Sequence, residues 1–264
     1  MKSSPADQGD FVAARWRTPL EACELTDFER LWSLDLPALD TTNISRGGTS
    51  TVSLLALEPP SRGRPRLIVK RQQNHLSRTW RHPLRGIPTV EKEYFNIRRF
   101  DRCGLETATP VLFARRRDER MIRAIFVTEY LEAYRSFDTL LAQWSGAVSP
   151  DGGGRDAILR TVADLVARMH RAGWRHNCLY PKHIFVNRHR SRPDARLIDL
   201  EKARRSPGLK RRMTRDLASF FRRSPHWSPA DQADFLVHYH GAGRLTPGIE
   251  RAWRRIQRRM ARKE

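Results

Sequence analysis

Four groups of residues in this 264-residue chain have the types and spacing to handle a phosphate and a metal ion. The most informative runs Gly173-Trp174-Arg175-His176-Asn177-Cys178-Leu179-Tyr180-Pro181-Lys182-His183-Ile184-Phe185-Val186, followed by Arg196-Leu197-Ile198-Asp199-Leu200-Glu201-Lys202. Its order is helix, loop, strand, turn, strand and then an acid. Phosphoryl transfer uses such a layout: a group at the loop start orients the nucleophile, a side chain five residues on binds Mg²⁺, and an Asp after the next strand binds Mg²⁺ too. Upstream, Ser45-Arg46-Gly47-Gly48-Thr49-Ser50-Thr51-Val52 precedes a strand. Glycines there let the backbone approach an anion and offer it N–H groups, although two adjacent glycines are more often an ordinary turn. Lys70 closes the apolar run Leu67-Ile68-Val69-Lys70, where an ammonium could hold the α- and β-phosphates of a nucleotide or simply be solvated. Glu93, with Glu91 as the alternative, stands on the following helix and could fix Lys70, or could serve only the helix dipole.

Those residues need elements to hold them. Residues 1–24 read as a loose leader. Leu25 to Asp40 carries Phe28, Leu31, Trp32 and Leu34 at roughly helical spacing, ended by Pro37. Ser53–Leu57 and Arg66–Lys70 read as strands joined by the polar turn Pro59–Gly63. From Val90 the apolar period becomes 3.6, through Tyr94, Ile97 and Phe100, and Gly104 ends that helix. Pro110–Phe113 and Ile122–Tyr130 give two more strands around a turn at Asp118-Glu119. This predicts an antiparallel sheet with one inserted helix over residues 25–130. Residues 131–264 read as mainly helical. There Asp151-Gly152-Gly153-Gly154 is a flexible break before a helix whose Ile158, Val162, Leu165, Val166 and Met169 share a face, with Gly173 past its end. Short strands follow at His183–Val186 and Arg196–Asp199. The last helix, Thr246 to Lys263, opens on a Thr-Pro pair suited to an N-terminus, and Ile249, Trp253, Ile256 and Met260 form its apolar face.

Composition narrows the partners. Lys and Arg number 50 against 29 Asp and Glu, a formal net charge of +21. Such a field attracts polyanions, but the arginines are scattered, so charge alone does not choose among nucleic acid, anionic membrane and phosphorylated glycolipid. An arginine-rich genome would explain part of the excess. The three cysteines, Cys23, Cys103 and Cys178, are odd in number and far apart, against a disulfide framework or a zinc site. Met1 to Asp10 is polar and shows no signal-peptide core, and no apolar run could span a bilayer. The expected location is cytoplasmic, free or peripheral on the inner face of the bacterial inner membrane.

From about Ile44 to Phe221, the motifs quoted above resemble the lipopolysaccharide kinases. That is the Kdo/heptose kinase family within the protein-kinase-like superfamily, and the likeness is strongest to its InaA-like branch. Arg215-Asp216-Leu217-Ala218-Ser219 fits that pattern as well. The resemblance implies an α+β, protein-kinase-like two-lobed fold, with an antiparallel N-lobe at 25–130 and a helical C-lobe at 131–264. It implies that Asp199 takes the place of the metal-binding Asp of the Asp-Phe-Gly motif, and that His183 takes that of the Asn for the second metal. His176 matches the His of the His-Arg-Asp motif, and Asp216 anchors the catalytic loop from a neighbouring helix. Gly47, Gly48, Thr49 and Ser50 would cover the phosphates with Lys70 and Glu93, and Glu129 and Tyr130 would be the hinge that holds adenine. ATP and Mg²⁺ are the implied cofactors, and lipopolysaccharide core or another anionic glycolipid the implied partner.

One position departs from that pattern. Cys178 stands where a kinase carries its catalytic Asp, and a neutral thiol cannot match a carboxylate in orienting a sugar hydroxyl and taking its proton. Loss of general-base assistance costs on the order of 10²–10⁴ in rate. Phosphoryl transfer depends mainly on positioning and charge, so a phosphotransferase acting on an alcohol group stays open. A pseudokinase, which binds nucleotide or a partner without transfer, is the alternative. Cys178 as a small buried hydrophobe belongs with it. A nucleic-acid binder is disfavoured, since no aromatic stacking platform or recognition motif supports it.

Overall fold

In a computed structural model the residues described are 10–45, 47–57, 65–79, 82–119, 121–144, 152–188, 192–225 and 227–262. The turn expected at Pro59–Gly63, residues 1–9 of the expected leader, Arg46 and Asp151 lie outside them. The chain divides into two compact units: residues 1–97 with 108–132, and residues 98–107 with 133–264.

The first unit is built on a six-stranded sheet. Its strands are β1 (Phe11–Val12), β2 (Asn43–Ser45), β3 (Gly48–Ala56), β4 (Arg66–Gln73), β7 (Pro110–Arg117) and β8 (Ile122–Glu129), in the order β1-β7-β8-β4-β3-β2 with every pairing antiparallel. Side chains alternate across such a sheet, and both faces are covered. Leu67 and Val69 of β4, with Ile125 and Val127 of β8, pack with Leu20, Phe28 and Leu31 from helices α1 (Ala14–Ala22) and α2 (Phe28–Ser33). On the opposite face Tyr94 of helix α3 (Thr89–Asp101) stacks on Phe113 at 4.7 Å and meets Phe126 edge-on. A short hairpin, β5 (Leu76–Thr79) and β6 (His82–Pro88), leads into α3.

Two expectations are corrected. In its described part, residues 10–24, the leader predicted as loose holds regular elements: β1 pairs with β7, and α1 closes one face of the sheet together with α2, which lies in the stretch expected to be helical. Leu20 of the leader is buried along with Leu25, Phe28 and Leu31, and Trp16 is partly buried, which outweighs the polar composition around them. The glycine run also does not break the chain, because helix α5 (Gly152–Arg171) begins within it.

The second unit is mainly helical, with α4 (Phe137–Trp144), α5, α6 (Leu209–Arg222), α7 (Pro229–His240) and α8 (Pro247–Ala261). Ile158, Val162, Leu165, Val166 and Met169 are all buried, as their spacing predicts, and an aromatic cluster of Phe137, Phe220, Trp227 and Phe235 fills the space among helices. Thr246 caps α8 by accepting the Ile249 N–H. Short strands hold the loops: β10 (Trp174–Arg175) with β13 (Arg204–Arg205), and a sheet of β12 (Asp194–Leu197), β11 (Ile184–Asn187) and β9 (Arg135–Ser136). Among the described residues no helix is long and apolar enough to cross a membrane.

Candidate active site

In the first unit, the alternation that buries Leu67 and Val69 on one face of β4 turns Lys70 toward α3. Its ammonium donates to both carboxylate oxygens of Glu93, at 2.8 and 2.7 Å. Glu91 is taken by Arg115 at 2.9 Å instead, which decides between the two acids left open by the sequence. Burial pushes the Glu91 carboxyl up, and Arg115 opposes that.

The glycine segment opens β3. Gly47 has φ of 77°, a left-handed conformation that favours glycine. At Gly48 a Cβ would overlap the backbone of Gln73, Asn74 and His75, so this glycine is required by a close approach of two backbone segments. A buried polar network stiffens the base. Ser45 Oγ lies 3.0 Å from His75 Nε2, His75 Nδ1 lies 3.2 Å from Thr89 Oγ1, and Gln72 Nε2 donates to Thr89 Oγ1 at 2.8 Å. Ser45, Gly47, Gly48 and Thr49, with Gln73 and Asn74, line a cavity of about 320 Å³; Ser50 accepts from Gln72 Nε2 at 3.1 Å. At the other end of the sheet the N–H of Glu129 donates to Thr109 O and that of Tyr130 to Arg66 O. These two amides, expected from the sequence to hold adenine, are therefore already committed to backbone carbonyls.

In the second unit the loop after β10 is fixed from α6. Asp216, 2% exposed, accepts the His176 N–H at 2.7 Å and the Asn177 N–H at 3.1 Å, and its Oδ2 lies 3.2 Å from His170 Nε2. His170 Nδ1 in turn meets the Tyr239 hydroxyl at 2.9 Å. Asn177 takes φ of 67° and donates its side-chain amide to Lys202 O. His176 is fully buried. Its Nδ1 accepts the Cys178 N–H at 3.3 Å and its Nε2–H donates to Ile198 O at 3.1 Å. Those roles belong to the neutral ring, and burial holds its pKa below the ordinary histidine value, against the pull of Asp216 and Asp199.

His183 and Asp199 meet because of strand register. Ile184 of β11 pairs with Leu197 of β12, so the residue before one strand and the residues after the other emerge at the same end of the hairpin. Ile198 N–H donates to His183 O at 3.0 Å. The His183 ring gives its Nδ1–H to Cys178 O at 2.9 Å, and its Nε2 faces Asp199 Oδ2 at 3.4 Å. Burial lowers the His183 pKa, against the raising effect of Asp199, so the neutral ring directs a lone pair at the carboxylate. An imidazole nitrogen and a carboxylate oxygen that converge in this way fit a divalent cation. Among the described residues no group of three or more His, Cys, Asp or Glu gathers around one point. The pair would therefore leave most positions on an ion to water and phosphate oxygens, the usual habit of Mg²⁺. Asp199 itself adopts a left-handed conformation, φ 57° and ψ 54°, uncommon for a residue other than glycine and frequent at functional sites.

Cys178 is buried, with its backbone carbonyl holding His183 and its N–H holding His176. Burial and then the neighbouring Cys178 thiol push the Tyr180 pKa up, against Arg223. The Arg223 guanidinium stands 4.0 Å from the centre of the Tyr180 ring.

The second unit thus brings together His176, Cys178, His183 and Asp199, and the first brings together Lys70 and Glu93. Sequence reasoning missed His170, Asn177, Tyr180 and Tyr239. Tyr180 lies inside the quoted motif and was legible there; His170 and Tyr239 join Asp216 from 46 and 23 positions away in the chain, with no local signal.

The antiparallel sheet of the first unit, with its strand Lys paired to a helix Glu, and, within the second unit, a loop anchored by a helix carboxylate and leading into a His–Asp hairpin are each features of a protein-kinase-like fold. Residues 29–239 match the lipopolysaccharide kinase (Kdo/WaaP) family, and the chain belongs to that family. It is 30% identical over 213 residues to protein InaA of Escherichia coli (strain K12), covering 79% of this chain and 92% of that one. It is 32% identical over 138 residues to the lipopolysaccharide core heptose(I) kinase WaaP of Pseudomonas aeruginosa, covering 50% of this chain and 51% of that one. The solved structure of WaaP in complex with acyl carrier protein shares the fold, with a TM-score of 0.67 at 21% identity over 95% of this chain and 97% of the other.

Proposed function

We propose that this protein is an ATP- and Mg²⁺-dependent kinase that phosphorylates a sugar hydroxyl, of heptose or Kdo, in the lipopolysaccharide inner core. The observation that carries the proposal is the convergence of His183 Nε2 and Asp199 Oδ2 at 3.4 Å, with the His183 tautomer set by Cys178 O. In this reading His183 and Asp199 hold Mg²⁺, which neutralises charge on the phosphates when bound. Lys70, held by Glu93, contacts phosphate oxygens, and the backbone at Gly47–Ser50 covers them. His176 supports the loop through Ile198 O rather than moving a proton. The acceptor hydroxyl lies at Cys178, where the loop's Asp would be. The family match and the WaaP relative, a heptose(I) kinase by name, support the acceptor class. The basic composition suits a substrate rich in phosphate, met at the inner face of the inner membrane.

The test supplies purified protein with Mg-ATP and delipidated core oligosaccharide. ATP-dependent phosphate incorporation that disappears in Asp199→Ala supports the kinase; no incorporation above the variant contradicts it.

A second reading, a nucleotide-binding pseudokinase, is favoured by one observation. The position of the general base holds a buried thiol, and the nearby Asp216 carboxylate is already occupied by two backbone N–H groups and His170. Cys178→Asp separates the two readings: a large gain in turnover means the site lacks only its base, and Mg-ATP binding without turnover in either form supports the pseudokinase.

A further inference from the structure

Helices α6 and α8 bound a groove of about 690 Å³ in the second unit, and its walls carry Lys210, Arg211, Arg255, Arg258, Arg259 and Arg262. Arg215 adds a seventh cation, and the other lining residues are Pro207, Gly208 and Thr214, so among the described residues that line it none is acidic. On α8, Arg255, Arg258 and Arg259 fall at i, i+3 and i+4, on one side of the helix, and Arg262 follows as its C-cap. The apolar stripe of the same helix, Ile249, Ala252 and Ile256, is buried, so α8 presents charge outward and not a hydrophobic face.

Three features mark the groove as poised for anions. The Nε of Arg255 is buried and has no hydrogen-bond partner among the described residues. The first turn of α6 has no acidic residue, and its N-cap, Gly208, offers no side-chain oxygen, so the positive end of the helix dipole is uncompensated there. The cations also act on one another's neighbours: Arg211 and Arg215 help burial to hold the Arg175 pKa down, and Arg255 helps burial to lower that of His240.

We propose that this groove docks the protein on an anionic phospholipid surface, with lipid phosphates as the ligands of its arginines. The proposal deepens the peripheral location given above and rests on that reading. The lining holds no aromatic ring on which a nucleic-acid base could stack. It also lacks the apolar pockets that receive the anchors of a partner helix. Recognition here is by phosphate charge. A feature beside the groove favours a bilayer over a soluble polyphosphate. Leu209, between Gly208 and Lys210, is 44% exposed, an apolar side chain flanked by groove residues and placed to enter the headgroup layer.

The experiment is co-sedimentation of the full chain with phosphatidylcholine vesicles made with and without phosphatidylglycerol. Binding is expected only to the anionic vesicles and is lost at high salt. Replacing Arg211, Arg255, Arg258 and Arg262 by Gln weakens binding about 100-fold or more, whereas the same four changed to Lys retain it. Neutralising the exposed Arg17, Arg78, Arg102 and Arg117 instead should cost far less. The pair Arg258→Gln and Arg262→Gln, both exposed, gives a partial loss that a folding defect cannot explain. Leu209→Ser weakens vesicle binding about three- to tenfold and leaves the affinity for tripolyphosphate unchanged. Equal loss in the groove and control variants overturns the proposal. So does binding of duplex DNA, tripolyphosphate or an acidic soluble protein at the groove with no vesicle binding. Vesicle binding is read without turnover, so its failure leaves the kinase reading untouched.

Discussion

Asp216→Asn is the substitution with the most to say about the loop. The carboxylate divides its work: Oδ2 serves His176 N–H at 2.7 Å and His170 Nε2 at 3.2 Å, and Oδ1 serves Asn177 N–H at 3.1 Å. Asparagine keeps the shape and one acceptor. With its oxygen at the Oδ1 position it faces two donors with an NH₂; flipped, it faces one. A buried donor left without a partner costs about 1–3 kcal/mol, so Asn, flipped to strand one donor, is expected to cost about 1–3 kcal/mol, and Ala, which strands all three, about 3–9 kcal/mol. For a chain of this size a loss of about 3 kcal/mol corresponds to a fall in Tm of about 6–12 °C. Two assays read it. Chemical denaturation gives the stability change, and hydrogen exchange of the His176 and Asn177 amides, slow in the wild type, becomes faster in both variants. If Asp216→Asn unfolds within about 0.5 kcal/mol of the wild type and those two amides stay protected, the loop is not held by this carboxylate and the reasoning fails.

Other consequences follow from the same geometry. Lys70→Met takes the ammonium away from Glu93, which is 4% exposed, and is expected to cost about 3–5 kcal/mol in denaturation; Lys70→Met with Glu93→Gln recovers most of it. In the glycine segment, Gly48→Ala forces two backbone segments apart and lowers Tm markedly, whereas Gly47→Ala, whose Cβ would meet nothing within 4 Å, costs about 1 kcal/mol for its left-handed φ; equal melting of the two variants would contradict the packing. Stability also depends on pH. His176, His183 and His240 all have folded pKa values lowered chiefly by burial, so as pH falls below about 6.5 the unfolded chain takes up protons first. Denaturation midpoints should be flat above that range and drop below it, and a midpoint that rises on acidification would mean these rings are charged in the folded protein.

Much of the frame was legible because it is written in short periods. The alternation in Arg66–Lys70 and Ile122–Tyr130, the 3.6 period from Val90 and the apolar face of α5 each correspond to an observed element. The motif from Gly173 to Asp199 was legible too, since an antiparallel hairpin must return Asp199 to the side of His183. What failed was packing that depends on partners far away in the chain. α1 forms because the sheet offers Leu20 an apolar face, and its own sequence, with Arg15, Arg17 and Glu21, does not announce it, whereas α2 falls where the spacing of Phe28, Leu31 and Trp32 predicted a helix. Gly152–Gly154 enters a helix that the apolar face of α5 stabilises by burial, outweighing the propensity of three glycines. The fully occupied state of Asp216, His170 and Tyr239 and the committed amides of Glu129 and Tyr130 are set by tertiary placement, which residue types alone do not encode.

The measurement closest to the central claim is calorimetric titration of Mg-ATP into wild type, Asp199→Ala and His183→Ala, repeated with EDTA present. The account predicts saturable binding by the wild type that weakens strongly when the metal is chelated or either side chain is removed. Binding that ignores both the metal and these two residues would contradict it.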